Sequence, residues 1–318
     1  MQLLGAFLRL IRWPNLFFIG LTQLLFYCCI ILPSLHGGIT ASSADIADPV
    51  TPALFSLLSF SSILIAAAGY IINDYFDLNI DRVNKPAKLV VDKIIKRRWT
   101  ILWHWILSGL GVLIGTYVSW KIRNPIVALA NLGCVFLLWF YSTTFKKKLL
   151  IGNVIISLLT AWVILVLYVA EFHFWLFRDP VLHTRLARIF KFAIVYGGFA
   201  FILSLVREVV KDIEDMEGDA RYGCRTMPIV WGINAAKLFA ATWLMVLIGA
   251  LVVIQFYILQ YRWWIIVLYS TLLLILPLLW LLRKLYKAST KSDYHRLSTL
   301  IKAVMLAGIL SMFIIQIV

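Results

Sequence analysis

Long apolar segments follow one another along the whole chain and are separated by short polar stretches. A helix needs about 20 consecutive apolar residues to cross a bilayer. Because backbone groups inside lipid must satisfy their own hydrogen bonds, we expect each segment to be an α-helix. The predicted spans are 14–32, 52–72, 100–119, 124–142, 150–170, 189–208, 236–257, 263–282 and 300–318. The pattern therefore predicts an all-α, multi-pass membrane protein of nine transmembrane helices, with residues 1–318 forming a single domain.

Composition and charge agree with a membrane location. The chain is 62% hydrophobic and only 14% charged, whereas a soluble domain carries about a quarter charged residues. When residues at the span ends are counted, 23 of the 30 Lys and Arg residues fall on the side that holds the N-terminus. The positive-inside rule then predicts a cytoplasmic N-terminus and an external C-terminus. Membrane topology and anionic lipids account for the net charge of +15, so no nucleic-acid partner is expected.

Acidic residues are few, and most of them lie in an internal repeat. Predicted span 2 runs into NDYFDLNID at 73–81, which we call the first motif. Predicted span 6 runs into KDIEDMEGD at 211–219, the second motif. The repeated aspartates are Asp74, Asp77 and Asp81 in the first motif and Asp212, Asp215 and Asp219 in the second. Four helices separate the motifs, so we expect both on the cytoplasmic side, as in a parallel repeat whose functional site forms between its halves.

The spacing of these aspartates indicates a site for hard divalent cations. Steps of three and four residues place each trio on one helical face. Carboxylates stacked in this way repel one another unless cations lie between them. Mg²⁺ binds a few carboxylates and takes its remaining ligands from water and substrate phosphates. A single motif could be a solvated helix end, but two motifs of equal spacing favour a magnesium diphosphate site.

Both motifs resemble the signatures of a known family. NDxxDxxxD at 73–81 resembles the first signature of the UbiA family of intramembrane prenyltransferases, and KDxxDxxGD at 211–219 resembles its second. The run at 207–229 is most similar to the geranylgeranylglycerol-phosphate geranylgeranyltransferases of that family. One departure is NKPAK at 84–88, where many members carry an Arg-rich segment; Lys85 or Lys88 would take the place of those arginines.

The resemblance implies Mg²⁺-dependent transfer of a prenyl group from a prenyl diphosphate. The donor would resemble geranylgeranyl diphosphate, and the acceptor would be a lipid precursor such as geranylgeranylglycerol phosphate. The helices would surround a central cavity open to the cytoplasm, with the active site facing that side. The implied residues are Asp74, Asp77, Asp212 and Asp215 for catalysis and metal binding, Asp81 and Asp219 as further metal-site residues, and Asn73, Arg82, Tyr141, Lys146 and Lys211 for substrate binding, with Arg12 and Arg225 as weaker substrate-binding candidates.

Three other functions fit parts of the pattern. Prenylation of an aromatic acceptor, as in quinone or heme biosynthesis, would use the same motifs with a different acceptor pocket. A cation transporter would need ionisable residues near the membrane midplane, where the predicted spans carry almost none. A soluble isoprenoid synthase would share aspartate-rich motifs but has no place for nine lipid-length segments. The acceptor, the prenyl chain length and the oligomeric state are not predicted.

Overall fold

The computed structural model describes residues 2–36, 50–86, 89–172 and 180–317, and long helices dominate throughout these ranges. The helices are α1 (Gln2–Leu10), α2 (Trp13–Leu35), α3 (Pro52–Asn84), α4 (Arg97–Lys121), α5 (Pro125–Thr143), α6 (Ile151–Glu171), α7 (Pro180–Glu214), α8 (Met216–Arg221), α9 (Met227–Val230), α10 (Ile233–Leu259), α11 (Trp264–Lys287) and α12 (Lys291–Ile317). Among the described residues, nine of these helices are long and apolar enough to cross a membrane. The predicted all-α class and the number of spans are confirmed.

Several helices extend well beyond the predicted spans. Helix α3 continues to Asn84 and α7 to Glu214, although the apolar segments were predicted to end at 72 and 208. A hydrophobic window locates only the part of a helix that suits lipid, whereas backbone hydrogen bonds continue into polar sequence. The connections after predicted spans 1 and 5 include residues 37–49 and 173–179, which lie outside the described residues.

The chain divides into two compact units. Unit 1 contains Met1–Thr144 and Trp162–Ile194, and unit 2 contains Phe145–Ala161 and Val195–Val318. The first motif belongs to unit 1 and the second motif to unit 2. The single domain, the central cavity and the cytoplasmic orientation stay predictions.

In unit 1, small residues let α3, α4 and α5 pack closely. Ser61 on α3 donates a hydrogen bond to the carbonyl of Gly111 on α4, with an oxygen–oxygen distance of 2.7 Å. A Cβ at Gly115 would lie 2.1 Å from Asn131 Nδ2 on α5, so only glycine fits there. Helices in lipid commonly associate through small residues spaced four positions apart and through polar side chains that hydrogen-bond from one helix to the other.

The segment after the first motif packs against the rest of unit 1. Val90, Val91 and Ile95 are buried in a cluster with Leu10 of α1 and Ile71 of α3. Because this apolar patch lies beside the end of α3, it fixes the helix end that carries the first motif.

Unit 2 has its own apolar core between α7, α10, α11 and α12. Val206 and Val209 of α7, Leu244 of α10, Leu278 of α11 and Ile301 of α12 are all buried in it. Burial of this many aliphatic side chains holds the end of α7, and with it the start of the second motif, against neighbouring helices.

Candidate active site

The first motif lies entirely on α3, which is helical without interruption through Asp74, Asp77 and Asp81. The expectation that this trio shares one helical face is confirmed, because residues three and four apart lie above one another on a helix. All three side chains are half-buried. A row of carboxylates therefore runs along about two turns of the helix end.

Arg12 supplies a positive charge to this row. Its Nη2 lies 2.7 Å from Asp74 Oδ1, and the guanidinium also lies 5.2 Å from the ring centroid of Tyr70. Arg12 occupies the turn between α1 and α2 with φ 52°, a left-handed conformation that directs the chain back toward α3. The charge of Asp74 raises the pKa of Arg12 above its ordinary value, although burial opposes the shift. Arg12 is therefore a fixed cation at the first motif.

Asn73 contributes a local hydrogen bond and an oxygen. Its Nδ2 donates to Asp77 Oδ2 at 2.8 Å, one turn along the same helix. Its Oδ1 is buried and has no hydrogen-bond partner among the described residues. A buried amide oxygen of this kind is costly unless it is paired, and it suits a hard cation as a neutral ligand.

The second motif differs from its prediction in backbone conformation. Helix α7 ends at Glu214, Asp215 adopts φ −98° and ψ 5°, and the chain resumes as the short helix α8. The expectation that this trio lies on one continuous helix is therefore wrong. Glu214 lies at the C-terminal end of α7, where the helix dipole disfavours negative charge, whereas Glu217 and Asp219 lie in the first turn of α8, where it favours negative charge. Gly218 lies inside α8, and Gly223 takes a positive φ of 72°.

Asp212 is held by a residue that the sequence did not single out. Asn153, near the start of α6, donates from Nδ2 to Asp212 Oδ2 at 2.8 Å. Its signal in the sequence is weak, because it is one amide within a predicted span. One turn before Asp212, Glu208 accepts from Arg207 Nη1 at 2.8 Å and lies 3.5 Å from Lys211 Nζ. The predicted phosphate ligand Lys211 is thus already part of a half-buried ion-pair group.

A lysine-bearing turn lies beside the second motif in unit 2. Phe145–Lys147 forms one helical turn, and the Arg225 backbone N–H donates to the carbonyl of Lys147 at 2.8 Å. A Cβ at Gly152 would lie 2.8 Å from the Cα of Lys146, so glycine at the start of α6 lets this turn pack closely. Burial raises the pKa of the Cys224 thiol, as does Asp219, whereas Lys147 and Lys146 lower it. Asp219, Lys146 and Lys147 therefore all lie within electrostatic range of this thiol.

The remaining predicted residues lie elsewhere. Arg82 pairs with Asp92 at 3.1 Å on the surface of unit 1, where their side chains are 54% and 49% exposed. Tyr141 lies in the last turns of α5 in unit 1, and Lys85 follows the end of α3. Lys88 falls outside the described residues.

The donor set of the motifs suits magnesium. The side chains are carboxylates and an amide oxygen, the oxygen ligands that Mg²⁺ prefers, and Asn73 Oδ1 is buried and awaiting a partner. In the described part of the chain, no group of three His, Cys, Asp or Glu side chains is gathered closely enough to hold a metal ion. The carboxylates and the amide oxygen nevertheless fit a magnesium diphosphate, because phosphate oxygens would supply the ligands that the protein does not.

The decisive comparison concerns most of the chain. The model of the UbiA prenyltransferase family matches residues 30–307, a stretch that includes both motifs. The chain belongs to the UbiA prenyltransferase family. The predicted family is therefore confirmed, and the two motifs of this UbiA-family protein correspond to its most acidic segments.

A curated relative shows a more specific similarity than the family model does. The chain is 32% identical over 194 residues to digeranylgeranylglyceryl phosphate synthase of Methanothermobacter thermautotrophicus, covering 60% of this chain and 62% of that protein. The chain thus spans about three fifths of the length of the curated relatives it matches.

Two solved structures share the fold. One comes from work on digeranylgeranylglyceryl phosphate synthase in membranes, with a TM-score of 0.67 at 23% identity over 100% of this chain and 99% of that one. The other is a UbiA homologue from Archaeoglobus fulgidus bound to GPP and Mg²⁺, with a TM-score of 0.54 at 15% identity over 98% and 100%. At these identities the likeness establishes the fold alone.

Proposed function

We propose that this protein transfers a geranylgeranyl group from its diphosphate to geranylgeranylglyceryl phosphate. The observation that carries the proposal is the pair of aspartate trios with the same spacing, one in each unit, each with an asparagine amide bonded to one of its carboxylates. The relatives named digeranylgeranylglyceryl phosphate synthase support the choice of acceptor.

In the proposed reaction, the bond between C1 of the prenyl group and the diphosphate oxygen breaks. An ether bond forms between C1 and the acceptor oxygen, and the diphosphate leaves and takes up the hydroxyl proton. Magnesium supplies Lewis-acid stabilisation of the departing phosphate oxygens when it is bound. Asp74, Asp77, Asp212 and Asp215 would bind magnesium, with Asp81 and Asp219 ordering the helix ends.

The basic residues stabilise the negative charge that develops on the diphosphate. Arg12 pairs with Asp74 of the first motif, and Lys211 lies beside Glu208, one turn before Asp212. Lys146 belongs to the turn beside the second motif. We propose these three, rather than the surface residue Arg82, as the cations that contact phosphate oxygens. Preplaced charges of this kind stabilise a transition state without reorganising during the reaction. Tyr141 remains a candidate for stabilising positive charge on C1 through its ring.

Prenylation of an aromatic acceptor is the second candidate, since the family motifs do not by themselves select the acceptor. The test uses purified full-length protein, labelled geranylgeranyl diphosphate and MgCl₂, with geranylgeranylglyceryl phosphate or 4-hydroxybenzoate as acceptor. We expect a labelled diether phosphate with the first acceptor, no product with the second, and no product when EDTA removes the metal. Product with the aromatic acceptor alone would replace the proposed acceptor, and transfer in EDTA would contradict the role of magnesium.

A further inference from the structure

Asn153 is the one asparagine that reaches from α6 to the second motif. Its side chain is buried, with 9% of the residue exposed, and it donates to Asp212 on α7, 59 residues further along the chain. Resting on the proposed function, we infer that Asn153 is a positioning residue that orients the Asp212 carboxylate toward the magnesium diphosphate.

A neutral amide suits this task better than a cation. The Asn153 N–H fixes Asp212 Oδ2 in one direction and adds no charge of its own. Among the described residues, Asp212 Oδ1 accepts no hydrogen bond, so that oxygen is available to a ligand. A lysine or arginine at the same place would orient the carboxylate equally well, but its charge would oppose the binding of a divalent ion. Partners of this kind commonly orient metal-binding side chains.

The local backbone holds Asn153 in place. Leu150 takes φ 59° immediately before α6, and Gly152 lets the Lys146 turn pack against the helix start. Ser157, one turn later, donates from Oγ to the Asn153 carbonyl at 2.6 Å. The side chain is therefore directed from a constrained helix end, as a positioning role requires.

The first motif contains a matching arrangement within unit 1. There Asn73 Nδ2 donates to Asp77 Oδ2, also at 2.8 Å, but from the same helix. Each motif thus has one carboxylate oriented by an amide, although only the second recruits its amide from another helix. This recurrence in both halves of the repeat favours a role at the carboxylate over a simple tie between helices.

The alternative is a structural tie, meaning that the Asn153–Asp212 hydrogen bond only links α6 to α7. The chain provides a matched control for this alternative. Thr160 lies two turns after Asn153 on the same helix, and its Oγ1 is 3.1 Å from Ser204 Oγ on α7. Both pairs link α6 to α7 within unit 2, but only the Asn153 pair includes a motif aspartate. A purely structural role would therefore give the two sites similar behaviour.

The test measures metal binding instead of turnover. Full-length protein in nanodiscs is titrated with Mn²⁺, followed by electron paramagnetic resonance, in the presence of a non-hydrolysable geranylgeranyl thiodiphosphate. We expect Asn153→Ala to weaken Mn²⁺ binding by about 10- to 100-fold, the range for partners that orient metal ligands. Asn153→Gln, which keeps the amide, should recover part of the loss, and Thr160→Val should bind as the wild type does. In an Asp212→Asn background, Asn153→Ala should add no further loss, because both changes act on one carboxylate.

Several results would overturn the inference. Wild-type affinity in Asn153→Ala would remove the positioning role while leaving the proposed function intact. Equal losses in Asn153→Ala and Thr160→Val, or fully additive losses with Asp212→Asn, would show a structural tie only. Thermal unfolding accompanies each titration. If Asn153→Ala fails to fold, the comparison is made with Asn153→Gln, for which wild-type affinity in the otherwise unchanged protein counts against the inference. Absence of Mn²⁺ binding by the wild type would contradict the proposed function as well.

Discussion

The two aspartate motifs have the same spacing but are built differently. In unit 1 the trio lies on one uninterrupted helix, α3, with Arg82 in its last turn. In unit 2 the helix ends at Glu214 and the trio is divided between α7, the turn at Asp215 and α8. Glu214 is the last residue of α7, whereas Glu217 and Asp219 lie in the first turn of α8, where the helix dipole favours negative charge. An identical spacing of aspartates therefore does not require an identical backbone.

The motifs also differ in how their first aspartate is held. Asp74 pairs with the guanidinium of Arg12, which compensates its charge, whereas Asp212 bonds to the neutral amide of Asn153. Glu208, one turn before Asp212, pairs with Arg207 and Lys211. The comparison indicates that the first aspartate of unit 1 is paired with a cation, whereas that of unit 2 is bonded to a neutral amide.

The largest effect is expected when the first aspartate of each motif is neutralised. We expect Asp74→Asn and Asp212→Asn each to lower kcat by on the order of 10²–10³, since each removes a group that holds charge in the transition state. Asp92→Asn, on the surface of unit 1, is the control and should retain activity. Steady-state assays of prenyl transfer provide the measurement. A large loss in only one motif would show that the repeat is functionally unequal.

A smaller effect is expected at Arg12, the cation that pairs with the first aspartate of the first motif. Arg12→Gln should raise KM for the prenyl diphosphate by roughly 10- to 100-fold, because a charge-assisted hydrogen bond contributes about 1.5–3 kcal/mol. Arg12→Lys should recover part of this, since lysine keeps the charge but loses the planar fork. Arg9→Gln, at an exposed position on α1, is the matched control. An unchanged KM in Arg12→Gln would limit Arg12 to pairing with Asp74.

The smallest effect concerns the turn that carries Lys146 in unit 2. Gly152→Ala should destabilise the protein by about 1–3 kcal/mol, because its Cβ would meet the backbone of Lys146 at 2.8 Å. Gly249→Ala on α10 is the control, since nothing lies within 4 Å of its Cβ. That substitution should be neutral or stabilise by about 0.5–1 kcal/mol. Thermal unfolding of the two variants in the same detergent measures the difference, and equal unfolding temperatures would show that the turn adapts.

Much of the fold could be predicted because lipid imposes a simple rule. Nine apolar segments of bilayer length produced nine helices within the described residues, and the two motifs were found from spacing alone. The ends of α3 and α7 could not be predicted in this way, since hydropathy says nothing about helical backbone outside lipid. The surface position of Arg82 could not be predicted either, because its pairing with Asp92 depends on how the segment after α3 folds back.

The sequence alone determined the all-helical class, the number of spans and the chemistry of the motifs, because these follow from local composition and from residue spacing. Only the tertiary structure decided which partner each aspartate has. Arg12 and Asp74 are 62 positions apart, and Asn153 and Asp212 are 59 apart. Contacts over such separations depend on how helices pack, and packing is set by the shapes of many side chains at once.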